Sequence, residues 1–182
     1  MNNNNLKRAE FIKEMYSVYW ANITRSMEGV WKVLAPLTVV GTIIAGVHQE
    51  YLSALFGISL AVLIIFWALN VMIDLNDWHR RNLFFLTKAE QEFLKSEDYG
   101  NLLPSKYRIP KNEWITFYKI NSLVFLILLA FTTFYSWYHL DCIDFGILIL
   151  LITIGSIITF LNYRHQNKRS TEKFNELFNK KP

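Results

Sequence analysis

The chain has 182 residues, of which 52% are hydrophobic and 16% aromatic, while only 19% are charged. Soluble domains carry about 25% charged residues, so this composition excludes a disordered chain and disfavours a small soluble fold. The single cysteine, Cys142, excludes an internal disulfide, and the net charge of +4 has to be interpreted from where the basic residues lie.

The N-terminal segment, residues 1–30, has the pattern of an amphipathic helix. Its apolar residues recur at intervals of three and four, as in Tyr16, Tyr19, Ile23 and Met27, which is the spacing of one helix face. We expect a cytoplasmic helix. It either lies flat on the inner leaflet or against the other helices, or it acts as a lever on the first span.

Two apolar runs follow in residues 31–73, at 31–47 and 51–73. A membrane-spanning helix needs about 20 mostly apolar residues, and the second run contains no Asp, Glu, Lys or Arg. Pro36 is expected in the first turns of its span, where proline is tolerated. Because a short link forces the two helices to be antiparallel, we predict a first transmembrane hairpin.

Residues 74–114 are predicted to be a cytoplasmic linker with a short helix. Its first residues should continue the second span out of the membrane. The sequence Thr87-Lys-Ala-Glu90 has the pattern of a capping box, which predicts a new helix over residues 88–96. Gly and Pro residues in 99–110 indicate a loop.

A second transmembrane hairpin is predicted over residues 115–163, from apolar runs at 115–139 and 145–163. Residues 164–182 then form a basic cytoplasmic tail. The fold class is therefore all-α: an integral membrane protein of two helical hairpins, four spans in all, with amphipathic cytoplasmic helices.

Basic residues indicate the orientation of the spans. All 19 Lys and Arg lie before or at the start of the first span, in or at the edge of the middle segment, or after the fourth span. Positively charged loops stay on the cytoplasmic side. We therefore predict a multi-pass protein of the bacterial inner (plasma) membrane with both termini in the cytoplasm. Its basic surface faces anionic lipid, and nothing in the charge pattern requires nucleic acid.

Motifs for catalysis are missing from the sequence: it has no phosphate-binding loop, dinucleotide fingerprint or HExxH. We expect no enzyme activity, no cofactor and no metal site. Span one carries a face of small, weakly polar residues, which either packs against neighbouring helices or lines a pore shared between subunits. The candidate pore-lining residues are Thr38, Gly41, Thr42 and Ala45.

Charged residues just beyond spans two and four form a second group of candidates. They indicate contact with lipid headgroups or with a cytoplasmic partner. The residues are Asp77, His79, Arg80, Arg81, Arg164, Lys168 and Arg169. Two asparagines, Asn70 and Asn162, fall at matching places in spans two and four, either through a duplicated hairpin or because membrane interfaces attract such residues.

The exit of span two, Leu69-Asn70 with Asn76-Asp77-Trp78, and the aromatic helix at 16–20 resemble small multi-span bacterial membrane effectors of phage-defence systems. The resemblance implies a homo-oligomer that breaches the membrane in antiviral defence and a regulatory protein encoded alongside. The members that it resembles have two spans, whereas four are predicted here.

Three functions remain as hypotheses. The first is an oligomeric pore, such as an ion channel, or a membrane-perturbing protein controlled by a cytoplasmic partner. The second is a membrane anchor or scaffold that recruits a cytoplasmic partner through residues 74–113. The third, a small transporter or membrane enzyme, is disfavoured because the hydrocarbon centre of the spans contains no ionisable residue.

Overall fold

In a computed structural model of the chain, which describes residues 3–93 and 116–178, every regular element within these ranges is an α-helix. The all-helical prediction is confirmed. Each of the four helices is long and apolar enough to cross a membrane. The helices are α1 (Asn3–His48), α2 (Ala54–Phe93), α3 (Thr116–His139) and α4 (Cys142–Phe178).

Three of the helices are much longer than a membrane requires. Helices α1, α2 and α4 contain 46, 40 and 37 residues, or about 69, 60 and 56 Å at 1.5 Å per residue. The hydrocarbon core of a bilayer is about 30 Å thick. The amphipathic segment and the first span, which the sequence separates by composition, therefore belong to one continuous helix.

Two local predictions are wrong. Pro36 lies deep inside α1 instead of in its first turns, so the carbonyl of residue 32 lacks its usual helical donor. No new helix starts at residue 88, because α2 passes through Thr87 and ends at Phe93. A capping box acts where a helix begins and leaves its first N–H groups without partners; here the preceding turns of α2 supply those partners. The predicted loop at 99–110 lies outside the described residues.

Short links with local hydrogen bonds connect α1 to α2 and α3 to α4. After α1, the backbone N–H of Tyr51 donates to the Gly46 carbonyl at 2.9 Å, and Glu50 adopts a left-handed φ of 61°, as residues just past a helix often do. Before α4, Asp141 accepts a bond from the Asp144 N–H at 2.8 Å and so acts as an N-cap. Trp137 and Phe145 pack edge to face across this second link.

The chain divides into two compact units, and α1, α2 and α4 contribute to both. Unit 1 comprises Met1–Gly29, Leu75–Glu113 and Asn167–Pro182. Unit 2 comprises Val30–Asp74 and Trp114–Gln166.

The interior of unit 2 is mainly aliphatic, and α2 supplies most of its aliphatic residues. Its apolar window is 56% buried, against 6% for the window of α4. Small residues allow close contact: a side chain added at Gly57 would collide with Val47. The fully buried residues of α2 in this unit are Ile58, Ala61, Val62, Ile65, Ala68 and Met72.

Candidate functional site

Within unit 2, α1 has two faces that differ in both residue size and exposure. One face is buried and consists of large aliphatic side chains: Val33, Val40, Ile43 and Val47. The other is exposed and contains all four candidate pore-lining residues: Thr38, Gly41, Thr42 and Ala45.

The exposed face of α1 makes no close contact within its own chain at Gly41, where an added Cβ would meet nothing within 4 Å. The Thr42 hydroxyl donates to the Thr38 carbonyl at 2.9 Å, so it carries little penalty in an apolar medium. The alternative prediction, that this face packs the helices of one chain together, is wrong. Packing within the chain uses the opposite, aliphatic face.

A ladder of polar side chains joins α2 to α4 in unit 2. The Asn70 amide donates to the Thr159 hydroxyl at 2.9 Å, and the Asn162 amide donates to the Asn70 side-chain oxygen at 3.0 Å. Asp74 accepts from Asn162 at 3.3 Å and from Gln166 at 3.1 Å. The two asparagines that the sequence places at matching positions thus contact each other directly.

The direction of α4 relative to α2 follows from these contacts. Partner numbers rise together along both helices, from Phe66 with Gly155, through Asn70 with Thr159, to Asp74 with Gln166. Within unit 2 the two helices are therefore parallel.

An apolar groove of about 450 Å³ lies between α2 and α4 in unit 2. Beside it the helices approach closely, because a Cβ added at Gly155 would lie 2.5 Å from the ring of Phe66. No pattern in the sequence predicts this groove. Among its lining residues are Leu63, Phe66, Trp67, Ile147, Leu151 and Ile154.

Unit 1 has a polar interior. The Ser26 hydroxyl lies 2.7 Å from Nδ1 of His79, and both side chains are buried. Asp77, which is 2% exposed, forms an ion pair with Arg81 at 3.0 Å. Arg80 is equally buried. It donates to Asn167 at 3.4 Å, and its guanidinium carbon lies 5.9 Å from the centre of the Phe84 ring.

The predicted lipid or partner contacts divide into three groups by exposure. Asp77, His79 and Arg80 are buried in unit 1, so this part of the prediction is corrected: they serve packing inside the unit. Arg81 is half-buried. The remaining three, Arg164, Lys168 and Arg169, are exposed.

The N-terminal segment of α1 covers α2 in unit 1. Tyr19 stacks on Phe85 with ring centres 5.4 Å apart, and Asn22 donates to Asn82 at 3.5 Å. These pairs and the Ser26–His79 pair run in opposite directions along the two helices. The segment therefore lies against another helix. These contacts could not be predicted from the sequence, because helix periodicity identifies a helix face but not the segment that packs against it.

No protein-family model, curated protein sequence or solved structure matches the chain. Within residues 3–93 and 116–178, no three His, Cys, Asp or Glu side chains come together in a way that could hold a metal ion. Function therefore has to be inferred from three features of the structure itself. They are the exposed face of α1, the α2–α4 groove and the polar interior of unit 1.

Proposed function

We propose that the protein is an oligomeric pore-forming or membrane-perturbing protein of the bacterial inner membrane, in which copies meet through the exposed face of α1. The supporting observation is the position of Thr38, Gly41, Thr42 and Ala45, opposite the face that packs within the chain. In lipid, helices associate through small residues that let their backbones approach closely. Hydroxyl groups and carbonyls on such a face can replace part of an ion's hydration shell.

The proposed threading is two hairpins with both termini in the cytoplasm. Two observations support it. Neither link contains a Lys or Arg, and α2 and α4 are parallel in unit 2, as they must be if both cross the membrane in the same direction.

Cys142 provides a direct test of this threading, because it is the single cysteine and is exposed and unpaired. In intact cells it should react with an impermeant maleimide added outside. The matched variant, Cys142→Ser with Lys168→Cys, should react only after the cells are permeabilised. External labelling at position 168 would overturn the threading.

A cytoplasmic partner belongs to the same proposal. The resemblance to defence effectors adds an antiviral role and a regulatory protein. Exposed apolar side chains on the N-terminal part of α1, such as Phe11, Trp20 and Met27, suit its docking. The alternative, an anchor that recruits a partner through residues 74–113, predicts binding of the same partner without conduction.

Ion selectivity tests the pore. Thr42→Asp places a carboxylate on the exposed face of α1 and should shift the reversal potential towards cation preference in a salt gradient. Thr42→Leu removes the hydroxyl and should reduce the current. Thr153→Asp is the matched control, because Thr153 is an exposed threonine of α4 that likewise donates to its own helix, at 2.8 Å.

Two results would count against the pore. If Thr42→Asp assembles and conducts with unchanged selectivity, α1 does not line the pathway. If the purified wild type never conducts, even with the product of its neighbouring gene added, the anchor function is the better explanation.

A further inference from the structure

The α2–α4 groove of unit 2 is apolar, and its polar lining residue already has hydrogen-bond partners. Apart from the Trp67 indole, Asn70 is the one polar side chain among the described residues that line it. Its amide donates to the Phe66 carbonyl and to Thr159, both at 2.9 Å, and its oxygen accepts from Asn162. A ligand inside the groove therefore has to be apolar.

The length of the groove fits one lipid chain. Along α4 the groove extends from Ile147 to Ile158, which is about 16 Å along a helix. One leaflet occupies half of a hydrocarbon core that is about 30 Å thick. A single acyl chain running along α4 would therefore fill most of the groove and make the dispersion contacts that a void would forfeit.

An exposed carboxylate, that of Asp74, lies next to the Asn70 end of the groove. The Asn162 amide links the two residues, because it donates to the Asn70 oxygen at 3.0 Å and to Oδ1 of Asp74 at 3.3 Å. Gln166 donates to the same Oδ1 at 3.1 Å. Both bonds end on Oδ1. Within the part of the chain that the structure describes, Oδ2 of Asp74 and the side-chain oxygen of Asn162 therefore remain available as acceptors.

No cation within residues 3–93 and 116–178 neutralises this carboxylate, since Asp74 takes part in no ion pair there. Arg164 of α4 lies two residues from both Asn162 and Gln166. Two residues correspond to about 200° around a helix, so Arg164 belongs to a different face. This end of the groove therefore complements a positively charged group that can donate hydrogen bonds.

The headgroups of three phospholipids differ in their fit to these acceptors. Phosphatidylglycerol carries no cation. The choline ammonium of phosphatidylcholine is fully methylated and has no N–H, whereas the primary ammonium of phosphatidylethanolamine has three N–H donors, as a lysine does. Hydrogen bonds between such an ammonium and a carboxylate are stronger than those between neutral groups. Phosphatidylethanolamine therefore fits best.

We propose that the α2–α4 groove binds phosphatidylethanolamine, with one acyl chain along α4 and the primary ammonium at Asp74 and Asn162. The proposal rests on unit 2 lying in lipid, as in the function proposed above, but it requires neither conduction nor a particular orientation. Asp74 follows Asn70 by about 6 Å along α2, which is within reach of the headgroup. A lysine of a partner protein offers the same ammonium, but it has no acyl chain for the groove.

Quenching of Trp67 measures occupancy, because Trp67 lines the groove and bromine atoms quench tryptophan on contact. The full-length chain is reconstituted, without an ion gradient, in vesicles of phosphatidylethanolamine and phosphatidylcholine in equal amounts. The brominated acyl chains are placed first on one lipid and then on the other, so that the bilayer composition stays the same. Subtracting the signal of Trp67→Phe removes the contribution of the other tryptophans.

We expect brominated phosphatidylethanolamine to quench Trp67 about threefold more effectively than brominated phosphatidylcholine, as for one hydrogen bond in lipid. Asp74→Asn keeps an oxygen for the Asn162 and Gln166 amides but removes the charge, and it should abolish this preference. Glu172→Gln is the matched control. It removes another exposed carboxylate and should retain the preference.

Two further arms test the acyl chain. Ile154→Phe should fill the groove and abolish the preference, whereas Ile157→Phe, the same change at an exposed residue outside the groove, should retain it. Soluble ethanolamine carries the same ammonium without an acyl chain. At millimolar concentration it should leave the preference unchanged.

Equal quenching by the two lipids would overturn the proposal, and so would a preference that survives Asp74→Asn or Ile154→Phe. A preference that ethanolamine removes, or that the two control variants lose as well, would also overturn it. A chain that never conducts can still show the preference, which separates this test from that of the pore. A conducting chain without the preference fails only here.

Discussion

The two units contain parts of the same three long helices, yet the buried residues described in unit 1 are mostly polar and those in unit 2 are mostly apolar. Unit 1 buries Asp77, His79 and Arg80. Unit 2 buries aliphatic residues such as Ile58 and Ile65, while α3 and α4 expose many large apolar side chains.

The threading that we propose, with unit 2 in lipid and unit 1 in water or at the headgroups, accounts for this difference. A surface covered with large apolar residues is unfavourable in water and neutral in lipid, where the hydrophobic effect no longer drives helices together. Unit 2 accordingly relies on glycine contacts and on a few paired polar groups. Unit 1 instead buries Asp77 and Arg80, pairs Asp77 with the half-buried Arg81, and exposes cations such as Lys168 and Arg169.

The largest expected effect comes from breaking the ionic interior of unit 1. Asp77→Ala leaves the Arg81 guanidinium without its carboxylate beside the buried Arg80, and should lower the free energy of unfolding by about 3 kcal/mol. Glu172→Ala is the matched control. It removes another i, i+4 pair, Lys168–Glu172, whose side chains are mostly exposed, and should cost at most about 0.5 kcal/mol.

Denaturant titration in mild detergent, followed by far-ultraviolet circular dichroism, measures both free energies. If both variants lower the free energy of unfolding equally, the stability of unit 1 does not depend on its buried charges. The contrast drawn here between the two units would then be wrong.

A somewhat smaller effect is expected from the glycine contacts of unit 2. Gly155→Ala places a Cβ 2.5 Å from the Phe66 ring and should destabilise the chain by about 2 kcal/mol. Gly146 lies on the same helix, but a Cβ added there meets nothing within 4 Å. Gly146→Ala should therefore be neutral or stabilising by up to about 1 kcal/mol. Thermal unfolding of the purified variants distinguishes these outcomes.

Gly41→Ala sharpens the same comparison, because its Cβ also meets nothing within the chain. It should change the free energy of unfolding of the single chain by about as much as Gly146→Ala does. If copies meet on α1, Gly41→Ala alone should shift the oligomer distribution in sedimentation or native mass spectrometry. Identical distributions for the two variants would place the interface elsewhere.

The smallest effect is expected from the α2–α4 ladder. Asn70→Val removes two hydrogen bonds between helices, to Thr159 and from Asn162, and should cost about 0.6–1.7 kcal/mol, the range for such bonds in membranes. Thr153→Val removes a bond within α4 only and should change stability by a few tenths of a kcal/mol at most. Unfolding in mixed micelles of increasing dodecyl sulfate content resolves the two.

Composition and periodicity determined much of this protein. Apolar runs of about 20 residues without charge predict helices that can cross a membrane, because no other simple element satisfies its backbone there. The same patterns correctly predicted that the second helix continues beyond Ile73. They also predicted one shared helix face for Thr38, Gly41, Thr42 and Ala45, all of which are exposed.

Only the tertiary structure decided what each face contacts. The charges after span two suggested an exposed docking surface, but Asp77, His79 and Arg80 are buried. Ser26 of α1 contacts His79, and Asn167 of α4 contacts Arg80. Likewise, Thr87-Lys-Ala-Glu90 predicted a helix start that the preceding turns of α2 made unnecessary. Sequence patterns report spacing along one chain segment, whereas burial depends on which distant segment packs against it, and a period of 3.6 residues carries no information about that partner.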